Sequence, residues 1–181
     1  SGFEMLTKMS IPVIALNCPE GPAGIDTILV NDRESVAKVI AHHGEQGHKK
    51  IGFIAATQTD YVARERLAGA KEAVQNDPSI QLEVFTGDYS RKSGYYGAKE
   101  LLEKGVTAIF VSNYNMSIGA IECFNQEGIR IGKDIAFSHY DYLDKNELSI
   151  LPKITITPPT DKIGEQAAEQ LLKRIKKEEE E

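Results

Sequence analysis

Short apolar runs alternate with amphipathic stretches along most of the chain. Residues 51–55 are almost wholly apolar, and residues 108–112 repeat that pattern after two segments with helical spacing. A strand that is apolar at every position is covered on both faces, as in a parallel sheet between two helix layers. The pattern therefore predicts an α/β fold with a doubly wound, open parallel sheet.

The bounds of the elements follow from the same pattern. Apolar positions at helical spacing, such as Val36, Val39 and Ile40, predict helices, and short continuous apolar runs predict strands. The predicted strands are 11–16, 27–30, 51–55, 82–85, 108–112, 135–138 and 154–157. The predicted helices are 33–45, 62–75, 90–104, 116–127 and 161–177.

Glycine and proline mark the ends of several predicted elements. Gly47 stands where a residue past a helix adopts a left-handed conformation, so it is expected to end the helix at 33–45. Pro158 and Pro159 force extended chain before the last helix, for which Thr160 is the expected N-cap. Residues 18–25 contain two prolines and two glycines and are predicted to be a loop. The acidic run 178–181 is expected to be a frayed tail.

Composition narrows the class of protein. The 181 residues are 41% hydrophobic and 27% charged, with a net charge of −6, which is typical of a globular protein with one or two cores. The negative charge argues against this segment gripping a polyanion by itself. Cys18 and Cys123 are expected to be free thiols in a reducing compartment, although one bridge stays open. With no apolar run of membrane-spanning length and no visible signal peptide, we expect a cytoplasmic protein without a membrane partner.

The sequence contains no recognisable catalytic constellation. Its four histidines, His42, His43, His48 and His139, fit structural or surface roles better than metal binding or base catalysis. Neither a glycine-rich phosphate loop nor a serine or cysteine elbow is present. We therefore expect no enzyme activity, no cofactor and no metal site.

Polar residues follow the ends of the predicted strands, where ligands bind to doubly wound sheets. Arg66 lies about one turn into the helix that follows strand 51–55. Its guanidinium can form two parallel hydrogen bonds with a carboxylate or with vicinal sugar hydroxyls. The alternative is a surface arginine paired with Asp60 or Glu65.

Two stretches carry a resemblance to a known family. Residues 46–54 read QGHKKIGFI, and residues 66–70 read RLAGA. Together with the order of the elements, they resemble the effector-binding core of the LacI/GalR family of bacterial regulators. The resemblance implies a periplasmic-binding-protein-like fold of type I, represented mostly by its C-terminal lobe, and a small-molecule sensor rather than a catalyst.

The resemblance assigns ligand-binding roles to four positions. Arg66 and Gly69 match an Arg-x-x-Gly-aromatic motif whose arginine touches the effector, although Ala70 replaces the aromatic residue. Tyr89 follows the second strand of the lobe, where an aromatic ring stacks on the ligand. Residues 113 and 114 stand where the family usually has an Asn-Asp pair after the strand 108–112. Asn113 matches the asparagine, and Tyr114 replaces the aspartate.

Further candidates come from the segment 139–142, which reads HYDY, and from neighbouring loops. Asp141 matches an aspartate that accepts ligand hydroxyl or ring N–H groups, and His139 replaces the family's glycine. Asp60 and Tyr61 are placed by neighbourhood to Arg66 rather than by motif. Asp32 and Glu34 are weaker candidates, because carboxylates near a helix N-terminus are favoured as caps.

The resemblance also implies a domain organisation and partners. Residues 1–30 are expected to be a remnant of the N-terminal lobe, 31–156 the C-terminal effector-binding lobe, and 157–181 the crossover and the helix that returns to the N-terminal lobe. The effector is expected to be a sugar or sugar derivative, and operator DNA to be bound only through a domain absent from this chain. A homodimer is expected, with residues 116–124 and 83–89 as candidate contacts.

Two other classes of protein remain possible on the sequence alone. A periplasmic sugar-binding protein, or the sensor domain of a membrane receptor, shares the fold but usually carries a signal peptide. An α/β enzyme would need a convergent acid/base set. A sugar or sugar derivative is favoured as the ligand, but the same residues also suit a sugar phosphate, a sugar acid or a purine.

Overall fold

A computed structural model describes residues 5–6, 11–19, 24–142 and 154–180. Contacts divide the chain into a small unit, formed from Ser1–Val30 and Pro158–Glu181, and a large unit, Asn31–Thr157. In chain order the elements are β1 (Ile14–Leu16), β2 (Asp26–Ile28), α1 (Asp32–Glu45), β3 (Lys50–Ala55), α2 (Tyr61–Asn76), β4 (Gln81–Thr86), α3 (Arg91–Glu103), β5 (Ala108–Val111), α4 (Tyr114–Gln126), β6 (Ala136–Tyr140), β7 (Ile154–Ile156) and α5 (Thr160–Glu180).

The large unit is built on one parallel sheet. Its five strands lie in the order β4-β3-β5-β6-β7, and every neighbouring pair is parallel. Because β3 connects to β4 on one side while β5 lies on its other side, the strand order reverses between β3 and β5. This reversal confirms the doubly wound sheet predicted from the apolar pattern.

One face of the sheet is covered by α1 and α2. Val36 and Ile40 of α1 and Ala70 of α2 are fully buried there against β3 and β5. The rings of Phe53 and Phe110, which are paired in register, stack with their centroids 5.3 Å apart. This core depends on the continuous apolar composition of the central strands, since their alternate residues supply the opposite face as well.

The other face is covered by α3 and α4, whose backbones approach each other closely. A Cβ atom added to Gly94 would lie 2.1 Å from the Met116 carbonyl oxygen, and one added to Gly119 would lie 1.8 Å from that of Arg91. The two glycines therefore allow the helices to pack without an intervening side chain. Phe124 packs edge-on against Phe137 beneath them, with centroids 5.4 Å apart.

The small unit consists of β1, β2 and α5. The two strands pair in parallel, and the Asn17 side chain accepts a hydrogen bond from the Val30 amide at 3.0 Å. Arg174 of α5 donates to Asp26 at 2.7 Å. Ala15 is the one core residue among the described positions of this unit, which means that most of its apolar side chains remain accessible.

Most predicted elements occur within a few residues of their expected bounds, and the differences occur at the ends. The strand predicted at 11–16 begins only at Ile14, and α4 begins at Tyr114 rather than Met116. Thr160 is the first residue of α5 and not its N-cap, and the helix continues through Glu180 instead of fraying after Lys177. Residues 20–23 of the predicted loop lie outside the described residues.

The structure bears on the expected dimer contact at 116–124, which stays a prediction. Eight residues of α4 are buried within their own chain, and in the range 116–124 Glu122 is the exposed one. The helix packs against the sheet and against its neighbour α3, so its apolar residues stabilise this chain's own core. Dimerisation stays a prediction, and this helix offers few apolar side chains for it.

Candidate functional site

Four of the five strands of the large unit end beside predicted site residues. Asp60 and Tyr61 follow β3, Tyr89 follows β4, and Asn113 follows β5. Asp141 follows β6 directly. Parallel strands bring these ends to one edge of the sheet, and the reversal of strand order between β3 and β5 opens a crevice there.

Arg66 lies at this reversal and joins the two sides of it. From α2, its Nη1 donates to the Ser112 carbonyl at the end of β5, at 2.7 Å. Its Nε donates to Asp32 Oδ1 at 3.2 Å. The two bonds use two of the five N–H donors of a guanidinium. The side chain is only 14% exposed, so its head group is held in one place.

Tyr140 supports the same guanidinium from below. The Cζ atom of Arg66 lies 3.4 Å from the centroid of the Tyr140 ring, which is a close cation–π contact. Tyr140 is itself buried at the end of β6. Burial raises the pKa of the Tyr140 hydroxyl, and the neighbouring Asp32 carboxylate raises it further.

Asp32 and Tyr140 are the site residues that sequence reasoning undervalued or missed. Asp32 is 1% exposed, and its second oxygen, Oδ2, is buried without a hydrogen-bond partner among the described residues. It does not act as a cap, since α1 has Asn31 at its N-cap position without a side-chain cap bond. Glu34, the other acid considered there, pairs with Lys38 at 2.6 Å. The sequence could have indicated Tyr140 only through its position in the segment HYDY, beside the predicted site residues His139 and Asp141.

Asp60 and Tyr89 form a second polar pair at this edge. Asp60 is the N-cap of α2, where Oδ1 accepts from the Ala63 amide at 2.8 Å, and Oδ2 accepts from the Tyr89 hydroxyl. Burial and this hydrogen bond raise the pKa of Tyr89 to about 12. Tyr89 also has a φ of 68°, a left-handed conformation that is uncommon for a bulky residue and is found enriched at functional sites.

Asn113 and Tyr114 lie where β5 passes into α4. The Asn113 side chain caps the helix by accepting from the Met116 amide at 3.3 Å, and its carbonyl accepts from Ser117 Oγ at 2.7 Å. Tyr114 packs partly buried against the core beneath α4. Asn113 thus has a structural role of its own, while its amide nitrogen stays at the same edge as Arg66.

Asp141 and His139 are placed differently although they are close in sequence. Asp141 has a φ of 97°, its amide donates to the Ile156 carbonyl at 2.8 Å, and its Oδ1 accepts from the Tyr142 amide at 2.9 Å. His139 is buried within β6, where Nε2 contacts Thr155 Oγ1 at 3.1 Å and Nδ1 has no partner among the described residues. Burial lowers the pKa of His139 to about 4, so the ring is neutral at pH 7.

Tyr61, the remaining candidate, begins α2 and is half-buried. Burial, together with Glu65 and Asp32, raises the pKa of its hydroxyl. Asp32 is therefore within electrostatic reach of two phenols, those of Tyr61 and Tyr140.

The opposite, amino end of the sheet contains the other histidines. An open cleft of about 660 Å³ there is lined by residues that include His42, His43 and His48. His43 Nε2 contacts Ser138 Oγ at 2.8 Å. A second cleft, of about 620 Å³, lies between α1 and α2. Neither cleft includes Arg66.

The described parts of the chain also bear on metal binding, disulfide formation and membrane spanning. Among those residues, no group of three histidine, cysteine, aspartate or glutamate side chains is arranged to hold a metal ion. Cys18 and Cys123 are free thiols. No helix formed by the described residues combines the length and the apolar composition needed to cross a membrane.

Known proteins match almost the entire chain. A family model described as a periplasmic binding protein-like domain matches residues 40–181. The HTH-type transcriptional repressor PurR of Actinobacillus pleuropneumoniae serotype 3 is 30% identical over 178 residues, which cover 96% of this chain and 53% of that repressor. The lactose operon repressor of Escherichia coli K12 is 26% identical, over 90% of this chain and 46% of the repressor. The chain spans about half the length of the curated relatives it matches.

A solved structure matches with similar coverage. The LacI family transcriptional regulator from Enterococcus faecium, whose crystal structure contains bound ribose, has a TM-score of 0.86 and 27% sequence identity to this chain. The match covers 98% of this chain and 67% of that regulator. The three proteins are named for one role, the control of transcription.

Proposed function

Because the chain belongs to the periplasmic binding protein-like family, as its resemblance to LacI/GalR regulators predicted, we propose that it is the effector-binding part of a regulator of that type. Its large unit is the C-terminal, effector-binding lobe. Its small unit belongs to the N-terminal lobe. The protein binds operator DNA as a homodimer, in the cytoplasm, through a domain outside the 181 residues described by the sequence.

The observation that carries this proposal is the fixation of Arg66 at the reversal of strand order. A long side chain loses much conformational entropy when it is ordered, so a free surface arginine gains little from such an arrangement. Arg66 is instead held by Asp32, by the Ser112 carbonyl and by the face of Tyr140. Preorganised donors at the carboxyl edge of a parallel sheet are what a polar ligand requires.

The residues around Arg66 suit a sugar or a sugar derivative. Hydroxyl groups both donate and accept, and the site offers carboxylates, an amide and guanidinium donors in one place. Tyr89, Tyr114 and Tyr61 supply aromatic faces that pack on sugar C–H groups. Asp141 accepts a ligand hydroxyl, and His139 shapes the end of β6 from within. The ribose bound by the structural neighbour from Enterococcus faecium supports the same class of ligand.

In this proposal the effector acts by a shift of populations. A ligand that binds one conformation of the dimer more tightly than another biases the spacing of the DNA-reading domains. No acid/base pair or nucleophile is needed for that role, and the protein is not an enzyme. A periplasmic binding protein of the same fold would instead be distinguished by failing to bind operator DNA.

The proposal is tested by ligand binding to the intact protein. Ribose, other pentoses and hexoses, sugar phosphates, sugar acids and purines are screened by thermal shift, because a ligand at a hundredfold excess over Kd stabilises a protein by about 2.7 kcal/mol. Binding of each hit is then measured by calorimetry. We expect a sugar to bind and Arg66→Ala to weaken it at least a hundredfold.

The matched control is Lys71→Ala, which removes an exposed cation from the same helix as Arg66. We expect it to leave the affinity unchanged. A hit whose affinity survives Arg66→Ala would contradict the site. A purine as the best ligand would keep the sensor function and replace the proposed class of effector.

A further inference from the structure

We propose that the ion pair between Arg66 and Asp32 restricts the effector to an uncharged polyhydroxyl compound and excludes its phosphorylated and carboxylated forms. This inference rests on the proposed function of the site. It addresses a choice between ligand classes that the sequence pattern leaves open, because an arginine alone would suit a phosphate, a carboxylate or a hydroxyl equally well.

The charge of Arg66 is already opposed inside the protein. Its Nε lies 3.2 Å from Asp32 Oδ1, and the exposed fractions of the two side chains are 14% and 1%. At this separation, and with water largely excluded, the two charges interact strongly. A ligand that approaches the guanidinium therefore meets hydrogen-bond donors without an uncompensated positive charge.

A second carboxylate makes the neighbourhood negative. The Tyr89 hydroxyl is bound to Asp60, and its ionisation is affected by Asp60 and by Arg66 in opposite directions. Both charged groups are therefore within electrostatic reach of one phenol. With Asp32 included, two carboxylates stand against one guanidinium, so an incoming anion is repelled where a neutral molecule is not.

A third carboxylate lies close to the guanidinium along the chain. Asp141 directly follows Tyr140, the residue on which Arg66 stacks. The charges fixed near the guanidinium therefore favour a ligand without negative charge.

Hydrogen-bond chemistry points to the same class. Asp32 Oδ2 is a buried acceptor without a partner among the described residues, and such atoms are rare because they cost free energy. A hydroxyl group donates to a carboxylate and accepts from a guanidinium at once. A phosphate at neutral pH offers acceptors almost exclusively, and would place a negative charge beside this one.

The test compares sugars with their own monophosphates on the intact protein. Affinities for ribose, glucose, fructose and galactose, and for the monophosphate of each, are measured by calorimetry at one ionic strength. We expect at least one sugar to bind tenfold or more tightly than its phosphate. If every sugar that binds is matched or exceeded in affinity by its own phosphate, this inference is overturned while the proposed function stands.

Asp32→Asn tests whether the carboxylate is responsible. The substitution keeps the size and one acceptor oxygen and removes the charge, so we expect the preference for the uncharged sugar to fall at least tenfold. Because Asp32 is buried, Asp60→Asn serves as a second variant that retains a capping oxygen for α2 and is expected to act in the same direction. Circular dichroism checks that each variant is folded.

The control is Glu122→Gln, which removes the same charge from an exposed position of α4. We expect it to leave the ratio of affinities unchanged. An unchanged ratio in both folded asparagine variants would overturn the role of the carboxylates. Failure of every sugar and every phosphate to bind would overturn the proposed function, and this inference with it.

Discussion

The two ends of the central sheet both contain buried or half-buried polar side chains, but they differ in whether these side chains have hydrogen-bond partners. At the amino end, two histidines among the described residues have hydrogen-bond partners. His43 Nε2 contacts Ser138 Oγ at 2.8 Å, and His48 Nδ1 contacts Thr107 Oγ1 at 2.9 Å. These pairs connect α1 to β6 and the start of β3 to the start of β5.

At the carboxyl end, buried polar atoms remain without partners. Within the described ranges, Asp32 Oδ2 and His139 Nδ1 are the two buried side-chain atoms that lack a hydrogen bond. Tyr89 and Asp141, at the same edge, adopt positive φ angles. The comparison separates polar groups that complete the fold with partners of their own from buried polar atoms that stay without a partner, at a cost in stability.

The largest expected effect on stability comes from breaking the Arg66–Asp32 ion pair. Arg66→Ala leaves a buried carboxylate without its cation, and we expect the free energy of unfolding to fall by about 3–5 kcal/mol. Urea denaturation measures this change. In the double variant Arg66→Ala with Asp32→Asn, part of the loss should be recovered, because the unpaired charge is gone. Equal stability of the single and double variants would contradict an electrostatic origin.

The next effect is a pH dependence that arises partly at the amino end. Burial lowers the pKa of His43 to about 4, with smaller contributions from His48 and His42. The unfolded chain therefore binds a proton near pH 6.5 that the folded chain refuses until about pH 4. The stability from His43 is complete above pH 6.5 and is lost as the pH falls, by up to about 3 kcal/mol at pH 4.

The measurement is urea denaturation of the protein and of His43→Gln between pH 7 and pH 4. We expect the variant to be less stable at pH 7 and to lose less stability on acidification. Ligand affinity at pH 7 should be the same in both proteins, since His43 lies at the end of the sheet away from Arg66. A variant with the full pH dependence would assign it to other groups.

A smaller effect is expected from Ser138→Ala. The substitution removes the partner of a buried histidine, which costs about 1–3 kcal/mol when the remaining group is left without a hydrogen bond. Thermal unfolding measures the loss. Sugar affinity should not change. A variant that is destabilised and also binds sugar less tightly would contradict the separation of stability at the amino end from binding at the carboxyl end.

The smallest effect is expected from Tyr89→Phe at the carboxyl end. The variant loses the hydrogen bond to Asp60, which contributes about 1 kcal/mol, but retains the aromatic face. We expect a modest loss of stability and a change in sugar affinity of only a few-fold, measured by calorimetry. Tyr89→Ala, which removes the ring as well, should weaken binding much more if stacking is the main role of this residue.

The layout of the sheet could be predicted from sequence because it depends on periodicity. Apolar runs at 51–55 and 108–112 identify buried strands, and parallel connections then bring the following residues to one edge. The end of β6 was harder to place. The strand was expected to stop at residue 138, but it continues to Tyr140. Ser138 and His139 are polar and nevertheless buried, so an apolar run does not mark this end of the strand.

The internal arrangement of the site could not be predicted in the same way. Asp32 and Arg66 are separated by 34 positions, and no local pattern encodes their contact. Local rules favour a carboxylate near a helix start as a cap, and that expectation was wrong for Asp32 because the fold places a guanidinium beside it. The contact of Arg66 with the Ser112 carbonyl also depends on backbone geometry alone.

The close contact between α3 and α4 restricts how this sequence can diverge. At Gly94 and Gly119 an added methyl group would collide with the carbonyl oxygens of Met116 and Arg91. A neighbouring side chain can be trimmed by a second mutation, whereas a main-chain oxygen cannot. We therefore expect that no second mutation can compensate for alanine at either position during evolution. The two helices should remain packed together as one block while the loops above them change.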